Sequence, residues 1–132
     1  ARLAELLAEL RTAVDDADRF SSLDIAFHDA VCEAAGNFLL AQFMAIINTL
    51  AKVSRERTGA SRGTRRQALA DHEAIVAALA ARDADAAAAA MEAHLAHVAQ
   101  ALVVAAPEAQ GRHGASATPE AHPARDADGA PG

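Results

Sequence analysis

The stretch "SSLDIAFHDAV", residues 21–31, places a carboxylate and an imidazole where a helix is expected to bury apolar groups. At about 100° per residue, a helix puts Asp24, Phe27, His28 and Val31 on one side. Phe27 and Val31 are typical of a core-facing stripe, so we expect the two polar side chains to point inward with them. A buried carboxylate needs an opposite charge, hydrogen-bond donors or a metal, because a bare one is costly in an apolar medium. Its partners should therefore lie elsewhere in the sequence.

The composition favours an all-helical protein of one domain. The chain has 132 residues, which is enough for a single domain with a hydrophobic core. Hydrophobic residues make up 52% of it, and many of them are alanines, the strongest helix formers. The formal net charge of −6 argues against nonspecific nucleic-acid binding by the chain as a whole.

The sequence also predicts a cytoplasmic protein with no membrane segment. It has no charge-free apolar run of about 18 residues, which a membrane-spanning helix would need. It does not open with the basic and apolar regions of an export signal. Its single cysteine, Cys32, has no internal partner for a disulfide, which fits a reducing compartment.

The hydrophobic spacing predicts an antiparallel bundle of about five helices. The expected segments are residues 2–15, Ser21 or Ser22 to Gly36, Asn37 to the loop "RERTGASRGT" at 55–64, about Arg65 to Ala81, and Asp83 or Asp85 to residue 105. We expect residues 1–105 to form this domain. The Pro/Gly/Ala-rich segment 106–132 has no apolar period and is predicted to be a disordered tail.

Three of the predicted helices carry a histidine on their apolar stripe: His28, His72 and His94. A lone histidine in such a position is usually a core residue with one hydrogen bond. Burial of three histidines together with Asp24 requires partners for all four polar side chains, and one divalent metal would satisfy them together. His97 lies three residues beyond His94 and is an alternative ligand or a supporting group. The more central place of His94 in its stripe favours His94.

Two longer segments carry a family resemblance. They are "LDIAFHDAVCEAAGNFLL", residues 23–40, and "DHEAIVAALAARDADAAAAAMEAHL", residues 71–95. Their order and spacing resemble the signatures D-x-x-F-H…N-x-x-L, E-H-x-x-I and M-x-x-H-L of the FCD domain. This is the ligand-binding C-terminal domain of FadR-type members of the GntR transcription regulators. Asp71 stands where the family often has Glu.

The resemblance implies an all-helical domain that holds one divalent metal, Zn, Ni, Mn, Co or Fe, on an aspartate and three histidines. Carried over residue by residue, these ligands are Asp24, His28, His72 and His94. It also implies that a small organic-acid effector binds the metal through a carboxylate and shifts paired DNA-binding domains, so we expect a homodimer. Arg55 or Arg57, near the end of the third predicted helix, is a candidate for a second contact with the effector.

The resemblance is incomplete at the N-terminal side. No winged helix-turn-helix precedes residue 1, and the family's first effector-domain helix also has no counterpart, so we expect DNA binding only through a domain outside this chain. The alternatives are a dimerisation module whose metal is only structural, or an incomplete fragment without function. The chain has no His-Glu-x-x-His or Glu-x-x-His motif, and we expect no catalytic residues.

Overall fold

The computed structural model describes residues 1–50 and 52–105, and within them it contains helices and turns but no strand. The helices are α1 Arg2–Ala13, α2 Ala17–Ala34, α3 Phe38–Leu50, α4 Lys52–Thr58, α5 Arg62–Ala81 and α6 Ala84–Ala105. Helices α1 and α2, α2 and α3, and α5 and α6 pack against one another, and the described residues confirm the predicted all-helical bundle. The predicted tail at 106–132 lies outside the described residues.

The third predicted helix corresponds to two helices, α3 and α4, so there are six helices in the described residues rather than about five, and α5 begins at Arg62 rather than about Arg65. The start of α2 and the end of α4 also differ from the prediction. Helix α2 begins before Ser21, because the side chain of Asp16 caps it by accepting a hydrogen bond from the Arg19 backbone N–H at 3.0 Å. Residues 55–58, expected in a loop, are helical, since Arg and Glu are good helix formers. Helix α4 then ends at a tight turn, where a Cβ on Gly59 would meet the carbonyl oxygen of Arg55 at 2.9 Å.

The hydrophobic core lies between α1, α2 and α5. Its largest fully buried apolar side chains are Leu6, Leu10, Phe27 and Ile75, which are at most 2% exposed. Phe27 occupies this core from α2, as its apolar stripe predicts. Helix α6 packs along α5, and α4 packs against α6 and α2.

Helix α3 is the least enclosed helix. Its sequence, FLLAQFMAIINTL, contains no charged residue, yet Phe38, Leu39, Phe43 and Ile46 are each more than half exposed. We call these four side chains the apolar face of α3. Asn48 fixes the helix to α2 by donating from Nδ2 to Oδ1 of Asp29 at 2.7 Å.

Helix α6 has the length and apolar composition of a membrane-spanning helix. Asp85 and Glu92 are its only acidic residues, and it contains no Lys or Arg. Length and apolar composition alone are weak evidence that a helix spans a membrane, because apolar helices of soluble proteins also meet these two criteria. Its packing along α5, and the placing of His94 in the interior, are those of a helix in a bundle.

Arg65 is a buried cation that backbone carbonyls satisfy. It is 6% exposed, and its Nε donates to the carbonyl of Val14 at 2.7 Å. Its Nη1 donates to the carbonyls of Gly59 and Ala60. These carbonyls lie just beyond the C-terminal ends of α1 and α4, where helix geometry leaves such groups without partners. Arg65 therefore joins the ends of two helices to α5.

We expect Arg65→Ala to lower the free energy of unfolding by about 2–4 kcal/mol, because it removes charge-assisted hydrogen bonds and leaves buried carbonyls unpaired. Chemical denaturation measures the change. The matched control is Arg66→Ala, which removes the same charge from the exposed neighbour and should change stability by less than about 0.5 kcal/mol. Equal effects of the two substitutions would contradict the role given to Arg65.

Candidate metal centre

Three imidazole rings from three helices meet beside the core. His28 of α2, His72 of α5 and His94 of α6 are 9%, 0% and 3% exposed. One possible ligand atom from each histidine lies within 4.8 Å of the others. The ring centroids are 4.8–5.3 Å apart. We call these three side chains the histidine cluster.

Asp24 borders the same cluster one helical turn before His28. Its Oδ1 lies 3.4 Å from Nε2 of His72 and 3.9 Å from Nε2 of His28. The four side chains that the sequence predicts as ligands are therefore neighbours, although α2 is distant in sequence from α5 and α6. Nitrogen donors from neutral imidazole and one carboxylate oxygen suit Zn²⁺, Ni²⁺, Co²⁺, Fe²⁺ or Mn²⁺.

His72 is the most enclosed member of the cluster. Its ring stacks on Phe27, with centroids 4.2 Å apart and planes inclined by 21°. Burial, together with the nearby imidazoles of His28 and His94, lowers the pKa of His72 to about 2. The ring is therefore neutral, with one N–H and one lone pair to satisfy.

Neither ring nitrogen of His72 has a hydrogen-bond partner in the part of the chain that the structure describes. The 3.4 Å contact with Asp24 does not have the geometry of a hydrogen bond. Buried polar atoms are almost always paired, so an unpaired imidazole calls for an additional group. A divalent cation fits this site, because it would take a lone pair from His72 and balance the carboxylate of Asp24.

His94 and His97 lie on different sides of a buried carboxylate. Nδ1 of His94 is 3.4 Å from Oδ2 of Asp71, and Nδ1 of His97 is 2.9 Å from the same oxygen. The ring of His94 belongs to the histidine cluster, whereas the side chain of His97 is 49% exposed. The geometry thus places His94 with the other candidate ligands and His97 outside them.

Asp71 is the polar residue that the sequence did not mark as part of the site. It adjoins His72, so helical geometry turns its side chain about 100° away, toward α6. Burial alone would raise the pKa of Asp71, but hydrogen bonds from His97, Gln67 and His94 hold it below its ordinary value. The sequence signals were the place of Asp71 in the motif directly before His72 and Gln67, one turn earlier on the same face of α5.

The two candidate arginines occupy different environments. Nε of Arg55 lies 3.3 Å from Oδ2 of Asp24, and the side chain is 18% exposed. Among the described residues, Nη1 of Arg55 is buried without a hydrogen-bond partner. Arg57 is exposed, about 200° further around the same helix. Only Arg55 is therefore placed at the histidine cluster.

Comparison with known proteins finds one family. A family model described as the FCD domain matches residues 1–97. The chain is also 36% identical over 91 residues to a protein named as an L-lactate dehydrogenase operon regulatory protein, from Escherichia coli (strain K12). A protein of the same name from Shigella flexneri gives the same values. Each alignment covers 66% of this chain but only 35% of the relative. No solved structure matches the chain.

The metal-free domain is expected to lose stability as the pH falls below about 6.5. Burial lowers the pKa of both His28 and His72, so the unfolded chain binds protons that the folded domain does not. For His72 the free energy of unfolding then falls by about 1.4 kcal/mol per pH unit once the pH is below the unfolded pKa, and His28 contributes in the same direction. Denaturation in the presence of a chelator between about pH 7.5 and 5.5 measures this slope.

The control for this pH dependence is His72→Leu, which keeps an apolar side chain beside Phe27 and removes one titrating group. Its slope should be shallower by about one proton. A stability that does not change with pH, or the same slope in both proteins, would contradict the buried neutral state of His72.

Proposed function

This chain belongs to the FCD domain family, and we propose that it is the effector-sensing domain of a GntR/FadR-type transcription regulator. In this proposal the domain binds a small organic acid through a buried divalent metal. The chain spans 35% of the length of the curated relatives it matches, so the DNA-binding activity belongs to a longer regulator. We propose that this regulator works in the cytoplasm and binds DNA through an N-terminal winged helix-turn-helix.

The observation that carries the metal proposal is the unpaired imidazole of His72. Among the described residues it is fully buried and both ring nitrogens lack hydrogen bonds, while two other imidazoles and a carboxylate lie next to it. A cluster kept only for packing would leave the two ring nitrogens of His72 unpaired, at a cost of about 1–3 kcal/mol each. The proposed ligands are Asp24, His28, His72 and His94.

The effector proposal rests on the unpaired donor of Arg55. When bound, a divalent ion with an open coordination position supplies a Lewis acid that takes a carboxylate oxygen. Nη1 of Arg55, which has no acceptor within residues 1–50 and 52–105, lies on the Asp24 side of the cluster and would donate to a second oxygen of the same acid. Burial strengthens both contacts, because water screens them less.

The names of the relatives indicate which organic acids to test first as effectors. They describe regulators of an L-lactate dehydrogenase operon. L-Lactate has a carboxylate and a neighbouring hydroxyl, which is the pair of oxygens that a metal and an arginine would share. We propose 2-hydroxy acids of this size as the first effectors to test, followed by citrate and gluconate.

We further propose that the domain works as a homodimer. The apolar face of α3 supports this, because four large side chains are exposed on a helix that carries no charge. Exposed apolar patches of this kind often mark protein interfaces. A dimer would also pair the DNA-binding domains of the longer regulator. The competing interpretation is a dimerisation module in which the metal only stabilises the fold.

We expect the purified, unchelated protein to carry about one divalent ion per chain, and His72→Ala to lose it, because one of four ligands is removed. Native mass spectrometry measures the ion and, in the same spectrum, whether one or two chains are present. His113→Ala is the control, since it changes a histidine to which we assign no ligand role. A folded wild type that takes up no Zn²⁺, Ni²⁺ or Mn²⁺ would overturn the metal site, and a single-chain mass would overturn the dimer.

We expect L-lactate or a related acid to stabilise the metal-loaded protein by about 2.7 kcal/mol when present at about 100 times its Kd. Arg55→Gln should bind the acid about 10- to 100-fold more weakly, because it loses a charge-assisted hydrogen bond. Thermal unfolding with and without the acid measures both effects. Arg57→Gln is the matched control and should behave like the wild type.

Metal content must be measured in both arginine variants, because Arg55 also contacts Asp24. If no acid stabilises a protein that does hold its metal, the sensing proposal fails and the structural role of the metal remains.

A further inference from the structure

The carboxylate of Asp71 lies between α5 and α6, behind one edge of the histidine cluster. It is 8% exposed. No part of the proposed ligand set uses it. A buried carboxylate at this position must be stabilised by neighbouring donors, and its charge must affect the imidazole ring beside it.

Two neighbouring side chains hold Asp71 in place. Gln67, one turn earlier on α5, donates from Nε2 to Oδ1 at 3.0 Å. Nδ1 of His97 on α6 lies 2.9 Å from Oδ2 and 3.1 Å from Oδ1. These partners come from two helices and contact both oxygens, so the carboxylate has one orientation between them.

The remaining contact of Asp71 is with a candidate metal ligand. Its Oδ2 lies 3.4 Å from Nδ1 of His94, a long hydrogen bond to a ring that is 3% exposed. A carboxylate only accepts hydrogen bonds when ionised, so Nδ1 of His94 must be the nitrogen that carries the proton. The lone pair of the neutral ring is then on Nε2.

We propose that Asp71 is a positioning residue, which fixes the tautomer and the orientation of His94 so that Nε2 is free to bind a metal. His97 and Gln67 support it by holding the carboxylate. The inference rests on the proposed metal site, because it gives Asp71 a role in metal binding. The tautomer that it assigns to His94, however, is a property of the metal-free protein. Loss of such a supporting carboxylate generally weakens metal binding by about 10- to 100-fold.

The test compares four forms of the full chain: the wild type, Asp71→Ala, Asp71→Glu and Glu73→Ala. Asp71→Ala removes the acceptor, and Asp71→Glu restores a carboxylate. Glu73→Ala is the matched control, because it removes the same charge from α5 two residues away, where the carboxylate is exposed and binds Arg11 at 2.8 Å. Circular dichroism checks that each variant is folded.

Two measurements decide the outcome. Long-range ¹H–¹⁵N correlation spectra of the metal-free proteins, at about pH 8.5 where imidazoles are neutral, report which nitrogen of His94 is protonated. Competition with a chromophoric chelator gives the affinity for Zn²⁺. We expect His94 to be protonated at Nδ1 in the wild type and in Glu73→Ala. In Asp71→Ala we expect that tautomer to be lost and Zn²⁺ to bind about 10- to 100-fold more weakly, with Asp71→Glu recovering most of both.

The inference is overturned if His94 keeps its Nδ1 proton in Asp71→Ala, or if Zn²⁺ affinity falls no further than in Glu73→Ala. If the wild type binds no Zn²⁺ at all, the proposed function fails, and the spectra of the metal-free proteins alone decide what Asp71 does. Should Asp71→Ala not fold, Asp71→Asn takes its place, because it keeps the shape of the side chain and removes the charge, and the same results are expected.

Discussion

The burial of three imidazoles beside an apolar core is the constraint on which this domain depends. Helices α2, α5 and α6 meet through His28, His72 and His94 as well as through apolar side chains such as Phe27 and Ile75. Stacking on Phe27 supplies apolar contact to one face of His72, but it leaves the polar edges of that ring unsatisfied within the described part of the chain. A group that binds these edges would bind only the folded chain, so its binding free energy would add to the stability of the fold.

The other buried polar groups of the bundle show how different this cluster is. Arg65 finds three backbone carbonyls, and Asp71 finds donors on two helices. Both are polar side chains whose hydrogen-bonding capacity is used within the domain. His72 has a comparable burial without comparable partners among the described residues, and this contrast is what supports the proposal of a ligand at the histidine cluster.

Much of the fold follows from the sequence, because helix periodicity and alanine content are local properties. The inward stripe of Phe27 and His28 is an example, and so is the stop at Gly36, whose φ of +66° suits glycine. The start of α2 was missed because Asp16 competes with two serines as a cap, and capping is decided by a single hydrogen bond.

The site was less predictable, since it depends on which neighbouring helix each face meets. His94 and His97 are three residues apart and share one side of α6, so spacing alone separates them poorly. Both contact Asp71, and what distinguishes them is that the ring of His94 is buried in the histidine cluster whereas the side chain of His97 is half exposed. Arg55 and Arg57 differ in the same way, because only the packing of α4 decides which one reaches Asp24.

The turn at Gly59 gives the domain an uneven tolerance to mutation. Any side chain there would meet the backbone of Arg55, so a substitution in a surface turn has to displace the residue that contacts Asp24. The many exposed alanines of α6 carry no such steric penalty, so they can be substituted more freely. Sequences that share this architecture can therefore diverge widely along α6. A substitution of Gly59, in contrast, displaces Arg55 without changing any proposed metal ligand.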